Sequence, residues 1–181
     1  MLFRVIMFVS TILAVPVAVH AQELLPPAVI AVLDSEFVIV NSQASRGIRD
    51  QIEAIRDVYS QEISALEDQL RAEEQELKRQ EAILAAEIFA QRRREFGDRV
   101  EYVQRLVEER NRQIDRAFNG AMNQVQDAIL SLIVELTEQR GFNVILEKDD
   151  LVFAARTLDI TNDVVAALDE RLPNVDVPMP E

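Results

Sequence analysis

The chain has 181 residues, with 32 acidic and 19 basic side chains, no cysteine, no tryptophan and one histidine. This inventory excludes disulfides, iron–sulfur clusters, thiolate zinc sites and multi-histidine metal sites. The glycines, Gly47, Gly97, Gly120 and Gly141, stand too far apart to form a phosphate-cradling loop.

Residues 1–21 read as a secretory signal. Arg4 supplies the positive charge, Val5 to Val19 is apolar except for Ser10 and Thr11, and Val19-His20-Ala21 offers a cleavage site. The run is short of the ~20 residues a membrane span needs, and Pro16 interrupts it. Cleavage near Ala21 removes Arg4 and the single histidine, so the net charge goes from −13 to −14. No cysteine follows the apolar run, which excludes a lipoprotein signal.

Residues 22–41 hold a short linker, Leu24-Leu25-Pro26-Pro27, then a strand over Ala28 to Leu33 and a short helix. The run AVIAVL has the length and β-branched content of a buried strand. Asp34-Ser35 and Asn41-Ser42 are placed to cap the short helix and the one that follows.

Residues 42–139 contain no proline and are rich in Glu, Gln, Arg, Ala, Leu and Ile. Apolar residues recur at Ile48, Ile52, Ile55, Tyr59, Ile63, Leu66, Leu70, Leu77 and Leu84, a heptad with a stutter. A second series runs Phe96, Val100, Val103, Val107, Ile114 and Phe118, then thickens from Val125 to Leu136. One continuous helix here would be ~150 Å long. A hairpin is the better reading, with its tip at 82–87 and residue i beside about 170 − i. Arg140-Gly141 ends the second helix, with Gly141 as the left-handed cap.

Residues 140–172 return to strand texture. Phe142 to Leu146 and Leu151 to Ala155 are expected to form a β-hairpin across the turn Glu147-Lys148-Asp149-Asp150. Thr161 is the expected N-cap of a final helix carrying Val164, Val165 and Leu168. Residues 173–181 read as a disordered tail.

The fold class is therefore α+β, a long antiparallel helical hairpin on a small strand body. Three short strands are few for an independent sheet and leave hydrophobic edges. The body is thus expected to oligomerise, strands from several chains sharing a β-core that holds Val29, Ile30, Val32, Val144, Leu146, Val152 and Phe153.

The pieces AVLDSEFVIVNSQASRGI at 31–48, LAAEIFAQRRREF at 84–96 and RGFNVILEKDDLVFAARTLDITNDVVAAL at 140–168 resemble the Skp/OmpH family of periplasmic chaperones. The resemblance covers essentially all of the mature chain. It implies a homotrimer with a strand-built body and three helical arms around a cavity. It also implies periplasmic, ATP-independent binding of unfolded outer-membrane proteins. The best-known members are basic, whereas this chain is acidic in every segment. That difference argues against direct membrane or lipopolysaccharide contact. The compartment and the charge argue against nucleic acid.

The candidate client-binding residues gather at the hairpin tip. Lys78, Arg79, Arg92, Arg93 and Arg94 give residues 78–94 a balance of 5 − 2 = +3. They either capture acidic clients electrostatically or form an ordinary salt-bridged helix face. Ile83, Leu84, Ile88 and Phe89 either close the turn or stay exposed as a client contact. Gly120, beside Asn119, is placed as a hinge between arm and body. Glu73, Glu74, Asp149 and Asp150 fit no calcium-loop spacing. No metal, cofactor or catalytic residue is expected. The alternative to a holdase is a coiled-coil adaptor that tethers a folded partner in the cell envelope.

Overall fold

The computed structural model describes residues 26–179, so the signal segment 1–21 lies outside the described residues. The elements in chain order are β1 (Ile30–Leu33), α1 (Ser35–Asn41), α2 (Gln43–Gln80), α3 (Ala86–Arg140), β2 (Val144–Glu147) and α4 (Thr161–Arg171). At 1.5 Å per residue, α2 and α3 run ~57 and ~80 Å.

β1 and β2 pair in parallel, with Ile30 opposite Val144 and Leu33 opposite Glu147. Parallel strands need a long crossover, and here the entire helical hairpin supplies it. On its other edge β1 meets the chain at Asp159–Ile160, where the Ile160 N–H donates to the Val32 carbonyl at 2.9 Å. The short central strand is therefore covered on both edges.

The expected second strand over 151–155 does not form. This segment is irregular, and β2 takes β1 rather than its sequence neighbour as partner. The reason lies in the connection: Lys148 to Asp150 wind into a 3₁₀ turn that directs the chain away from β2. Val152 and Phe153 are left fully in solvent, at 106% and 85% exposure.

Local capping fixes where the helices begin and end. The Asp34 carboxylate accepts from the Phe37 N–H at 2.8 Å and starts α1. The Ser42 hydroxyl accepts from the Ser45 N–H and starts α2. Gly141 at φ 74° ends α3, its N–H donating to the Thr137 carbonyl at 2.9 Å. At α4 the N-cap position is not Thr161 but Ile160, and the Asp159 carboxylate just before it accepts from the Thr161 N–H at 3.0 Å. Thr161 is already the first helical residue, and its hydroxyl accepts from the Asp34 N–H instead. One side chain thus ties the start of α4 to the start of α1.

The core sits at the hairpin base. Ile48, Ile52, Ile55 and Tyr59 of α2 are buried in one cluster with Ile114, Val125, Ile129 and Leu132 of α3 and with Val164 and Leu168 of α4. Between residues 60 and 112 only Val103 is buried. The arm seam beyond Tyr59 is half-buried at Ile63, Leu66, Leu70 and Leu77.

The cross-hairpin pairs Glu62–Arg110, Glu73–Arg99 and Gln80–Arg92 place residue i beside 172 − i, two residues off the expected register. Side chains on an α-helix lean toward its N-terminus. Those of α2 therefore lean toward the body and those of α3 toward the tip. Partners in contact consequently carry higher numbers than a symmetric turn suggests.

The tail is not disordered throughout. Val175 and Val177 are buried, at 3% and 8% exposure, and belong to the core cluster. The Gln51 carboxamide holds them, donating to the Val175 carbonyl at 2.8 Å and accepting from the Val177 N–H at 2.9 Å. The proline content suggested a free tail, but the Val-Asp-Val alternation gave it a face to bury.

Candidate functional site

The arm tip is built by the end of α2, a turn over Glu81 to Ala85 and the start of α3. Lys78 pairs with Glu74 and Arg79 with Glu76, both at 2.7 Å and both exposed. Arg79, then Gln80, hydrogen-bond the Glu76 carboxylate and hold its pKa below the usual value. Arg92 Nη1 donates to Gln80 Oε1 at 2.6 Å across the turn. Arg93 and Arg94 are exposed, with no ion pair among the described residues. The tip cations thus divide into a salt-bridged face on α2 and a freer patch on α3.

The tip apolar residues divide as well. Leu84 and Phe89 are half-buried, whereas Ile83 is 81% exposed and Ile88 is also exposed. Among the described residues nothing covers these isoleucines.

Midway along the arm, Arg110 closes the densely packed part. Its Nε and Nη2 reach the Glu62 carboxylate at 3.1 and 3.2 Å, and Nη1 donates to Gln113 Oε1 at 2.9 Å. Its guanidinium carbon lies 4.4 Å from the centre of the Tyr59 ring, a cation–π contact. The hydrogen bonds that Arg110 donates to Glu62 raise its pKa further. A cleft of about 640 Å³ opens beside this clasp, lined by Tyr59, Ile63, Val107 and Ile114. The clasp was not anticipated from sequence; the 172 − i register would have found it.

The expected oligomer residues occupy different settings. Val29, Ile30 and Val144 are adjacent and exposed, and the Val29 carbonyl accepts from the Asn143 and Val144 N–H groups. Leu146 is half-buried. Val32 is 1% exposed, so the protomer itself buries it. Val152 and Phe153 border a cleft of about 500 Å³ with Val32, Lys148 and Asp159. Lys148 Nζ lies 3.1 Å from Asp159 and 3.8 Å from Asp34, and Asp159 raises its pKa. The Thr161 hydroxyl and backbone N–H, together with Lys148, hold Asp159 below the usual carboxylate range.

Sequence reasoning missed a second exposed set, Leu130 and Val134 on α3. They lie four residues apart and off the buried row Val125, Ile129, Leu132 and Leu136. That mismatch with the seam was the available signal.

Gly120 lies within an unbroken α3 and is exposed. A Cβ there would meet nothing within 4 Å, and the same holds for Gly97. Neither glycine is needed for close helix approach within the chain. Glu73 and Glu74 pair with Arg99 and Lys78, while Asp149 and Asp150 are exposed turn residues. No group of side chains among the described residues is arranged to hold a metal.

A family model described as outer membrane protein (OmpH-like) matches residues 29–168. The chain belongs to the OmpH-like family. The match takes in both strands, the complete hairpin and most of α4. Among solved structures, the fold is similar to a putative outer membrane chaperone (OmpH-like) from Caulobacter crescentus CB15. The TM-score is 0.79 at 19% identity, covering 90% of this chain and 98% of that one. No curated protein matches the chain in sequence. The helical-hairpin body plan of this OmpH-like chain is thus shared, while its side chains have largely diverged.

Proposed function

We propose that this OmpH-like protein is an ATP-independent, non-enzymatic holdase of the periplasm. Released from its signal near Ala21, it assembles as a homotrimer and encloses unfolded outer-membrane proteins between its arms. It keeps their apolar strands from aggregating until delivery. The observation that carries this reading is the contrast between a well-packed base and a thinly packed arm. Apolar side chains lie open along that arm at Ile83, Ile88 and Tyr102. Scattered exposed groups of this kind give many weak contacts, which hold a client by avidity yet release it one contact at a time.

In this reading the trimer is held through the exposed residues Val29, Ile30 and Val144 at the start of the two strands, together with Leu146, Val152 and Phe153. Val32 supports that surface from inside the protomer. The tip arginines attract acidic clients, and Gly120 lets the arm bend. Membrane or lipopolysaccharide contact does not contribute, because the mature charge of −14 repels anionic surfaces.

The test is light scattering from several unrelated β-barrel proteins diluted out of urea, with and without the mature chain. A holdase suppresses the aggregation of all of them at a fixed trimer ratio. An adaptor binds one folded partner and leaves the scattering unchanged.

A further inference from the structure

The C-terminal segment is held partly through its backbone, by bonds that do not read its side chains. Gln51 projects from the third turn of α2. Its Nε2 donates to both the Gly47 and Val175 carbonyls, at 3.0 and 2.8 Å, and its Oε1 accepts from the Val177 N–H at 2.9 Å. The bond to Gly47 fixes the carboxamide before any tail arrives. The other two bonds read the backbone at positions i and i+2, as a neighbouring β-strand would. Val175 and Val177 enter the core while Asp176 between them stays exposed. Asn174 lies over Gly47, whose missing Cβ would come within 3.3 Å of its Oδ1. The pattern of apolar residues in, polar residue out is the two-residue period of a half-buried extended strand, which membrane β-strands share.

We propose that this groove on α2 is a recognition site for extended polypeptide with alternating apolar residues, and that residues 174–178 occupy it as a displaceable stand-in. The occupant class rests on the holdase reading, since unfolded outer-membrane strands carry this alternation. The site itself rests on the Gln51 geometry. The segment follows α4, the last element among the described residues, and α4 makes its own contacts with α1 and α3. Intramolecular occupancy lowers the apparent affinity for a competitor by the fraction of time the groove is empty.

The experiment uses the full chain and a fluorescent peptide with the sequence of residues 173–179. In the double variant Val175→Asp/Val177→Asp the tail is released. That variant should bind the peptide at least about ten-fold more tightly than the unaltered chain does. Adding Gln51→Ala should abolish this gain, with helix content by circular dichroism confirming that each variant is folded. On the unaltered chain, excess peptide should speed hydrogen exchange at the Val177 amide, because its acceptor is taken. This second measurement does not depend on the variant folding. Peptide binding that ignores Gln51→Ala would overturn the proposal, as would a Val177 amide unmoved by excess peptide. If peptide binds as expected but barrel aggregation is not suppressed, the site stands and the holdase reading falls.

Discussion

Replacing Gly120 by alanine probes one position of α3 with little steric confusion. An added Cβ at Gly120 or Gly97 meets no atom within 4 Å. Both residues lie inside the helix, so neither substitution is expected to introduce strain. Alanine restricts the unfolded chain and favours the helix, by about 0.5–1 kcal/mol at each site. The sites lie ~35 Å apart along the helix, so the double variant should gain about 1–2 kcal/mol. For a chain of this size each kcal/mol raises the melting temperature by roughly 2–4 °C. Melting followed by far-UV circular dichroism measures the gain. Spin labels at the arm tips then separate the two glycines. If Gly120 is the hinge, Gly120→Ala narrows the tip-to-tip distance distribution and Gly97→Ala leaves it unchanged. Destabilisation by Gly120→Ala would refute the steric reasoning, since it would mean that something outside the protomer covers that face. An unchanged distance distribution would remove the hinge.

Phe153→Asp alters a side chain in open solvent, so the protomer should keep its helix content while sedimentation shows loss of the trimer. Persistence of the trimer would remove Phe153 from the interface. Val32→Asp places a charge at a buried position, costs several kcal/mol and should unfold the body itself, as read by loss of cooperative melting. Changing Arg92, Arg93 and Arg94 to serine should slow client association at low salt and have little effect at high salt. Equal stopped-flow rates at low salt would assign these arginines to the helix surface alone. The folded pKa of Asp159 is depressed, so its contribution to stability is present above the ordinary aspartate pKa. That contribution is lost as pH falls through the lower, folded value. Asp159→Asn should therefore lower stability at neutral pH and flatten its decline on acidification, read from urea midpoints across pH.

The hairpin was legible because two heptad series faced one another across a break; the caps at Asp34 and Ser42 follow from side-chain chemistry, and that at Gly141 from glycine's access to positive φ. The strand over 151–155 was misread because β-propensity reports a preference for extended chain, not a partner. Ile30 and Val144 find each other only once the intervening hairpin has folded back. The two-residue error in register arose from treating side chains as perpendicular to the helix axis. The tail escaped notice because Pro173 and Pro178 obscured the alternation of Val175 and Val177, and Gln51 gives no sign in sequence that it will bind backbone. The tip was legible as a place of mixed charge and apolarity. Which isoleucines stay exposed there depended on the turn, and no glycine or proline marked its geometry.

The central claim is that exposed apolar groups on a trimer of arms keep barrel proteins from aggregating. The most direct measurement is light scattering of a urea-unfolded outer-membrane β-barrel diluted into buffer with increasing amounts of the mature chain, with the mass of the chaperone–client complex determined in the same samples. The account predicts that scattering falls to baseline and saturates at one trimer per client, for several unrelated barrels. Undiminished scattering in the presence of a folded, trimeric chain would contradict it.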